Sequence, residues 1–160
     1  MRAIAKEAGV DPSLPRHYFP SKSVLFVESL GPPNQIDGNL ERVIPGPADR
    51  LGERLMDAFL DVWDSPELSA RLKILVQSAV GTPEVAAMAR TILLERVFLR
   101  VALTIGPEDA EARAAAALSQ ILGLVVTRYI LRVEPIASAT REELIRRFGP
   151  ALQRLITGTT

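Results

Sequence analysis

Ser13, Arg16, His17, Tyr18 and Lys22 crowd into a short stretch near the N-terminus of the chain. Their guanidinium, imidazole, ammonium and hydroxyl groups are hydrogen-bond donors, the chemistry that meets phosphate oxygens and the edges of bases. Metal and thiol chemistry lack such support. The chain has one histidine and no cysteine, so His17 has no second imidazole or thiolate to complete a zinc site. Disulfides are excluded, which fits a reducing cytoplasm. There is no nucleophile-elbow motif, no glycine-rich phosphate loop and no Glu-x-x-His pair, so an enzyme is not expected, nor is a cofactor or a metal. Asp57, Asp61 and Asp64 fall on one surface at helical spacing, where solvation is their expected role.

Local signals position the donor cluster. Arg2 to Ala8 read as a short helix ended at Gly9, a residue free to take the left-handed conformation. Val10 then tucks inward, Asp11 is placed to cap the next helix, and Pro12 takes its first position, where no N–H is missed. The second helix carries Ser13, Arg16, His17 and Tyr18, with Phe19 as an apolar anchor. Helix, glycine turn and helix make one half of a DNA-reading device. Counted from Asp11, Pro15 is the fourth helical residue, so this helix should be short or bent.

The string AxxAGVDxxLxxHYFxSKxxLF resembles helix 2, the turn, helix 3 and early helix 4 of the tetracycline-repressor (TetR) family of bacterial transcription regulators. Ala5, Ala8, Gly9, Val10, Phe19, Lys22 and Leu25 each fall on a matching position. The resemblance implies that Ser13, Arg16 and His17 face DNA in the major groove, that Tyr18 and Lys22 sit by the phosphate backbone, and that Phe19 is core. Two departures accompany it. The family's first helix, whose apolar face covers the other two, is not contained in the chain, so the head is expected to be truncated. Ile4, Val10, Phe19 and Phe26 would then lack cover worth about 1.5–3 kcal/mol for each large side chain. Pro15 stands where the family has an aliphatic residue.

The formal net charge is zero, so any attraction to DNA must be local. Residues 1–22 supply it weakly, with Arg2, Lys6, Arg16 and Lys22 against Glu7 and Asp11. No targeting segment is visible, and the most apolar run, Ala114 to Leu131, is broken by Ser119, Gln120, Thr127 and Arg128. It reads as a buried helix of a cytoplasmic protein with no membrane partner.

Beyond Lys22 every signal is helical. Ser21 caps a helix through Leu30, and residues 31–47 form a loop, with a short helix from Ile36 to Ile44, that separates head from body. Ser65-Pro66-Glu67, Thr82-Pro83-Glu84 and Gly106-Pro107-Glu108-Asp109 cut the body into helices near 48–64, 67–80, 84–105 and 108–133. Thr140 and Glu143 make a capping box for a last helix ending before Gly158, with Pro150 placed to bend it. The fold class is therefore all-α: a truncated helix-turn-helix head with its connecting helix at 1–30, and a helical bundle at 48–160.

The resemblance implies that the last two helices pair with their copies in a homodimer. The apolar positions available are Leu118, Ile121, Leu122, Val125, Tyr129, Leu144, Phe148, Leu152 and Leu155; a helix central to a monomeric bundle is the alternative. It also implies a small-molecule pocket in the body. Met56, Phe59, Trp63, Gln77, Met88, Ile92 and Phe98 could line it or simply pack, and its ligand would be hydrophobic or amphipathic. Arg128, within an apolar stretch, reads as half of an ion pair, whereas Arg146 and Arg147 beside Glu142 and Glu143 read as a solvated face. The function implied is a repressor that holds operator DNA and releases it when the ligand binds. The alternative is a dimeric ligand-binding or interaction module that no longer binds DNA because the first helix is missing.

Overall fold

The computed structural model describes residues 1–11, 13–29 and 41–158, apart from the side chains at 95 and 96, and shows no strand among them. Helix α1 (Arg2–Glu7) ends as its glycine predicts. Gly9 is left-handed at φ 66°, Val10 donates its N–H to the Ala5 carbonyl at 3.0 Å, and Gly9 donates to Lys6 at 3.3 Å. This paired closure satisfies carbonyls that the helix end would otherwise leave open.

Helix α2 (Leu14–Tyr18) is short, as Pro15 implied, but starts later than Asp11 suggested. Asp11 Oδ1 accepts the Ser13 N–H at 2.8 Å and the Ser13 hydroxyl at 2.5 Å. Asp11 thus shapes the turn, and Pro15 falls in the first helical turn, where its absent N–H costs nothing. Pro12 lies outside the described residues. Helix α3 (Lys22–Ser29) begins with the Ser21 hydroxyl accepting the Val24 N–H at 3.1 Å, the cap expected of it. The expected loop and short helix lie largely outside the described residues, of which 41–43 are helical.

Five helices follow a 3₁₀ turn at Ala48–Arg50. Helices α4 (Leu51–Trp63) and α5 (Pro66–Gly81) are separated by Ser65, and α6 opens at Pro83 after Thr82. Neither Ser65 nor Thr82 makes a side-chain cap bond; the extended cap residue and the proline behind it end one helix and begin the next. Helix α6 is one rod in three stretches, Pro83–Arg90, a π-helical Thr91–Leu99 and Arg100–Ile105. Helix α7 (Ala110–Leu124) likewise continues through a π-helical Val125–Ile130. Helix α8 (Arg141–Thr157) starts at the expected capping box, with Glu143 N–H on Thr140 Oγ1 at 3.3 Å and Thr140 N–H on Glu143 Oε2 at 2.9 Å. It runs unbroken past Pro150.

The core sits where α4 and α8 cross face to face. A Cβ on Gly52 would land on the Gly149 carbonyl oxygen and 2.5 Å from the Gln153 backbone nitrogen, so the crossing admits only glycine there. Gln153 closes the contact: its Oε1 accepts the Gly52 N–H at 2.7 Å and its amide donates to the Ala48 carbonyl at 2.7 Å. Leu51, Met56, Leu60, Val101, Leu144, Leu152 and Ile156 are fully buried around it. Arg113 fastens the bottom of the bundle by donating to the Gly106, Glu108 and Ile156 carbonyls. A smaller cluster of Val27, Leu75, Val85 and Ala89, flanked by Phe26, Met88 and Ile92, seats α3 of the head on α5 and α6 of the body.

Candidate functional site

The five donors of the head all reach solvent. Ser13, Arg16, His17 and Tyr18 are exposed on and beside α2, Tyr18 to 67%, and Lys22 is exposed at the start of α3. His17 and Tyr18 meet edge to face, their ring centroids 5.1 Å apart. Ser13 is partly committed, because its hydroxyl and N–H both hold Asp11 and thereby keep the Asp11 carboxyl below the usual aspartate range. That leaves Arg16, His17, Tyr18 and Lys22 as the unencumbered face. Phe19 is half-buried, and Val10, expected to tuck inward, is 37% exposed together with Ile4 at 37% and Leu14 at 45%.

The seven pocket candidates do not meet in one place. Met56 and Phe98 are buried in the main core with Phe59 packed against it, whereas Met88 and Ile92 belong to the small cluster under α3. Gln77 is exposed on α5. Trp63 and Phe59 instead build an aromatic group with Tyr129, a residue considered for the subunit interface. Centroid separations are 6.0 Å for Phe59 and Trp63, 6.2 Å for Phe59 and Tyr129, and 5.1 Å for Trp63 and Tyr129. The Tyr129 hydroxyl donates to Asp64 Oδ1 at 2.9 Å, and burial with the Asp64 bond pushes its pKa above the usual tyrosine range.

Four further interface candidates are turned inward. Leu144 and Leu152 on α8 and Ile121 on α7 are buried in the main core of the single chain, and Val125, where α7 turns π-helical, is buried as well. Their side chains are filled by intramolecular packing and leave no area for a second copy. Leu118, Leu122, Phe148 and Leu155 retain exposed surface.

Arg128 forms no ion pair among the described residues. Its Nη1 donates to the carbonyls of Ile136, Ala137 and Ala139 at 2.7, 3.2 and 2.9 Å, so it holds the α7–α8 loop in place of a carboxylate partner. The three aspartates on α4 are also engaged, not merely solvated. Arg141 donates to Asp57 Oδ1 at 2.6 Å and to Asp61 Oδ1 at 2.7 Å, while Asp64 accepts the hydrogen bond of the Tyr129 hydroxyl. The partners are more than sixty positions away, and no local spacing signals them. Arg146 and Arg147 are exposed as expected.

Residues 49–156 match the family model described as "Tetracyclin repressor-like, C-terminal domain". The crystal structure of a TetR-family regulator from Streptomyces coelicolor A3 superposes with a TM-score of 0.71 at 33% sequence identity, over 98% of this chain and 82% of that one. The chain belongs to the TetR family. No curated protein is significantly similar to it in sequence. The matched segment coincides with the bundle from the 3₁₀ turn to α8, and the structural likeness extends over the head as well. As a TetR-family member this all-helical chain is a transcriptional regulator.

Proposed function

We propose that this TetR-family chain is a homodimeric cytoplasmic repressor whose α1–α2 head, residues 1–30, binds operator DNA and lets go when a small hydrophobic or amphipathic ligand enters the body at 48–160. The observation that carries the reading is the exposed cluster of Arg16, His17, Tyr18 and Lys22 on a helix-turn-helix closed by left-handed Gly9. Arg16 and His17 offer donors to base edges, and Tyr18 and Lys22 offer donors to phosphate. A two-fold axis would present two such heads to half-sites about one helical turn apart. Coupling to the ligand would run through the seat of α3 on α5 and α6, where Phe26 and Val27 pack against Leu75, Val85 and Met88. A ligand that favours one arrangement of that seat shifts the heads by its differential affinity.

Fluorescence anisotropy of a labelled palindrome from the gene's own upstream region tests this. Specific binding at nanomolar protein that weakens steeply with salt is the expected result. Binding no tighter than to scrambled duplex overturns it. One observation favours the second reading, a dimeric ligand-binding or interaction module without DNA contact: the apolar face of Ile4, Val10 and Leu14 is exposed beside the donor cluster. A dimer in sedimentation that shows no salt-sensitive DNA binding above micromolar concentration would establish that reading instead.

A further inference from the structure

A cleft of about 360 Å³ opens between α5 and the α7–α8 loop, lined by Lys73, Arg128, Tyr129, Arg132, Glu134 and Ser138 among others. Three cations thus face one carboxylate. That carboxylate is occupied locally: Glu134 Oε2 accepts the Ser138 hydroxyl at 2.5 Å and the Ser138 N–H at 3.3 Å. The loop carbonyls that would repel an anion are also engaged, since Arg128 Nη1 holds those of residues 136, 137 and 139. Lys73 and Arg132 have no hydrogen bond or ion pair among the described residues. Lys73 instead places its ammonium 5.8 Å from the centre of the Tyr129 ring, and the Arg128 guanidinium carbon lies 5.4 Å from the same centre.

Arg132 adds backbone evidence. It is left-handed at φ 54°, a conformation that glycine takes freely and a long side chain takes at a cost. Local structure alone would favour glycine there, so a cation held in that geometry points to a use for its charge. The aromatic ring in the cleft's lining is that of Tyr129, which stacks toward Trp63. We propose that this cleft binds an oxyanion carried on a flat apolar body, a carboxylate or a phosphate ester, with Lys73 and Arg132 pairing the anion and Tyr129 receiving the ring. It lies on the surface, apart from the buried Met56 and Phe98 and apart from the head, so it stands or falls independently of DNA binding.

The chain reports on the cleft through its single tryptophan, Trp63, whose ring centre is 5.1 Å from that of Tyr129. The full chain is titrated with benzoate, phenyl phosphate and neutral benzamide, following Trp63 emission and the heat of binding. Saturable binding of benzoate or phenyl phosphate, weakened by salt and at least about tenfold tighter than benzamide, is expected. The tighter of the two anions identifies the carboxylate or the phosphate source. Lys73→Gln and Arg132→Gly should each weaken anion binding about tenfold. Arg132→Gly suits its backbone, so circular dichroism of the parent should be retained, and Lys73→Arg should restore binding. Equal affinity for benzamide, unchanged affinity in both variants, or no saturable signal up to about 10 mM anion would overturn the assignment.

Discussion

Arg16 stands on the exposed face of α2 and Lys22 at the first position of α3. If they meet DNA as proposed, their alanine variants should separate two kinds of contact. Lys22→Ala should weaken binding to every duplex alike and reduce the salt slope by about one, as loss of one phosphate contact does. Arg16→Ala should cost about 1–3 kcal/mol and relax discrimination at one base pair, read by anisotropy against single-substitution operators. Tyr129 makes a different prediction at the same scale. Its pKa is raised in the folded chain, above the ordinary value of 10.0, by burial first and the Asp64 bond second. The neutral phenol is therefore favoured by folding, and the stability this group confers is complete below pH 10 and is lost as pH rises toward the folded value. Tyr129→Phe should flatten the decline in urea midpoint above pH 10 while removing the bond to Asp64 at lower pH. A wild-type midpoint with the same alkaline slope as the variant would contradict it.

At the scale of elements the crossing of α4 and α8 is the decisive joint. Gly52 meets backbone atoms of Gly149 and Gln153 that cannot step aside as a side chain would. Gly52→Ala should therefore destabilise by about 3 kcal/mol or more, the upper end for overpacking, despite alanine's better helix propensity. The control is Gly123→Ala, which has open space around it in α7. That variant should hold or gain up to about 1 kcal/mol in chemical denaturation. The ion bridge from Arg141 to Asp57 and Asp61 clamps the same two helices from the other side. Arg42 extends it, 3.4 Å from Asp61, linking the helical turn at 41–43 to the body.

At the scale of the whole molecule, a second copy would cover apolar area that the single chain leaves exposed. The single chain already buries Ile121, Val125, Leu144 and Leu152, while Leu118, Leu122, Phe148 and Leu155 keep exposed area. Two substitutions one turn apart on α7 should then behave differently. Leu122→Asp should leave a folded chain that sediments as a monomer where the parent is a dimer, because its charge meets water once the partner leaves. Val125→Asp should unfold the chain, since a buried unpaired charge costs several kcal/mol against a total of about 5–15. A dimeric, folded Leu122→Asp protein would remove this face of α7 from the interface.

The Gly9 stop, the Ser21 cap and the Thr140–Glu143 box are legible in the chain, because each depends on backbone chemistry within four residues, whereas the start of α2 is not, since Asp11 spends its carboxylate on the turn. The family string near the N-terminus was legible for the same reason: a turn and its flanking donors are local. What needed the tertiary structure was the destination of every side chain whose partner is distant. Tyr129 and Leu144 both look like apolar stripe residues in sequence, yet one stacks on Trp63 and the other fills the α4–α8 core. Helical periodicity says that a face is covered; only packing says by which neighbour, because the same stripe satisfies a core and an interface equally. Asp57 and Arg141 illustrate the electrostatic form of that rule, eighty-four positions apart in the chain and 2.6 Å apart in space.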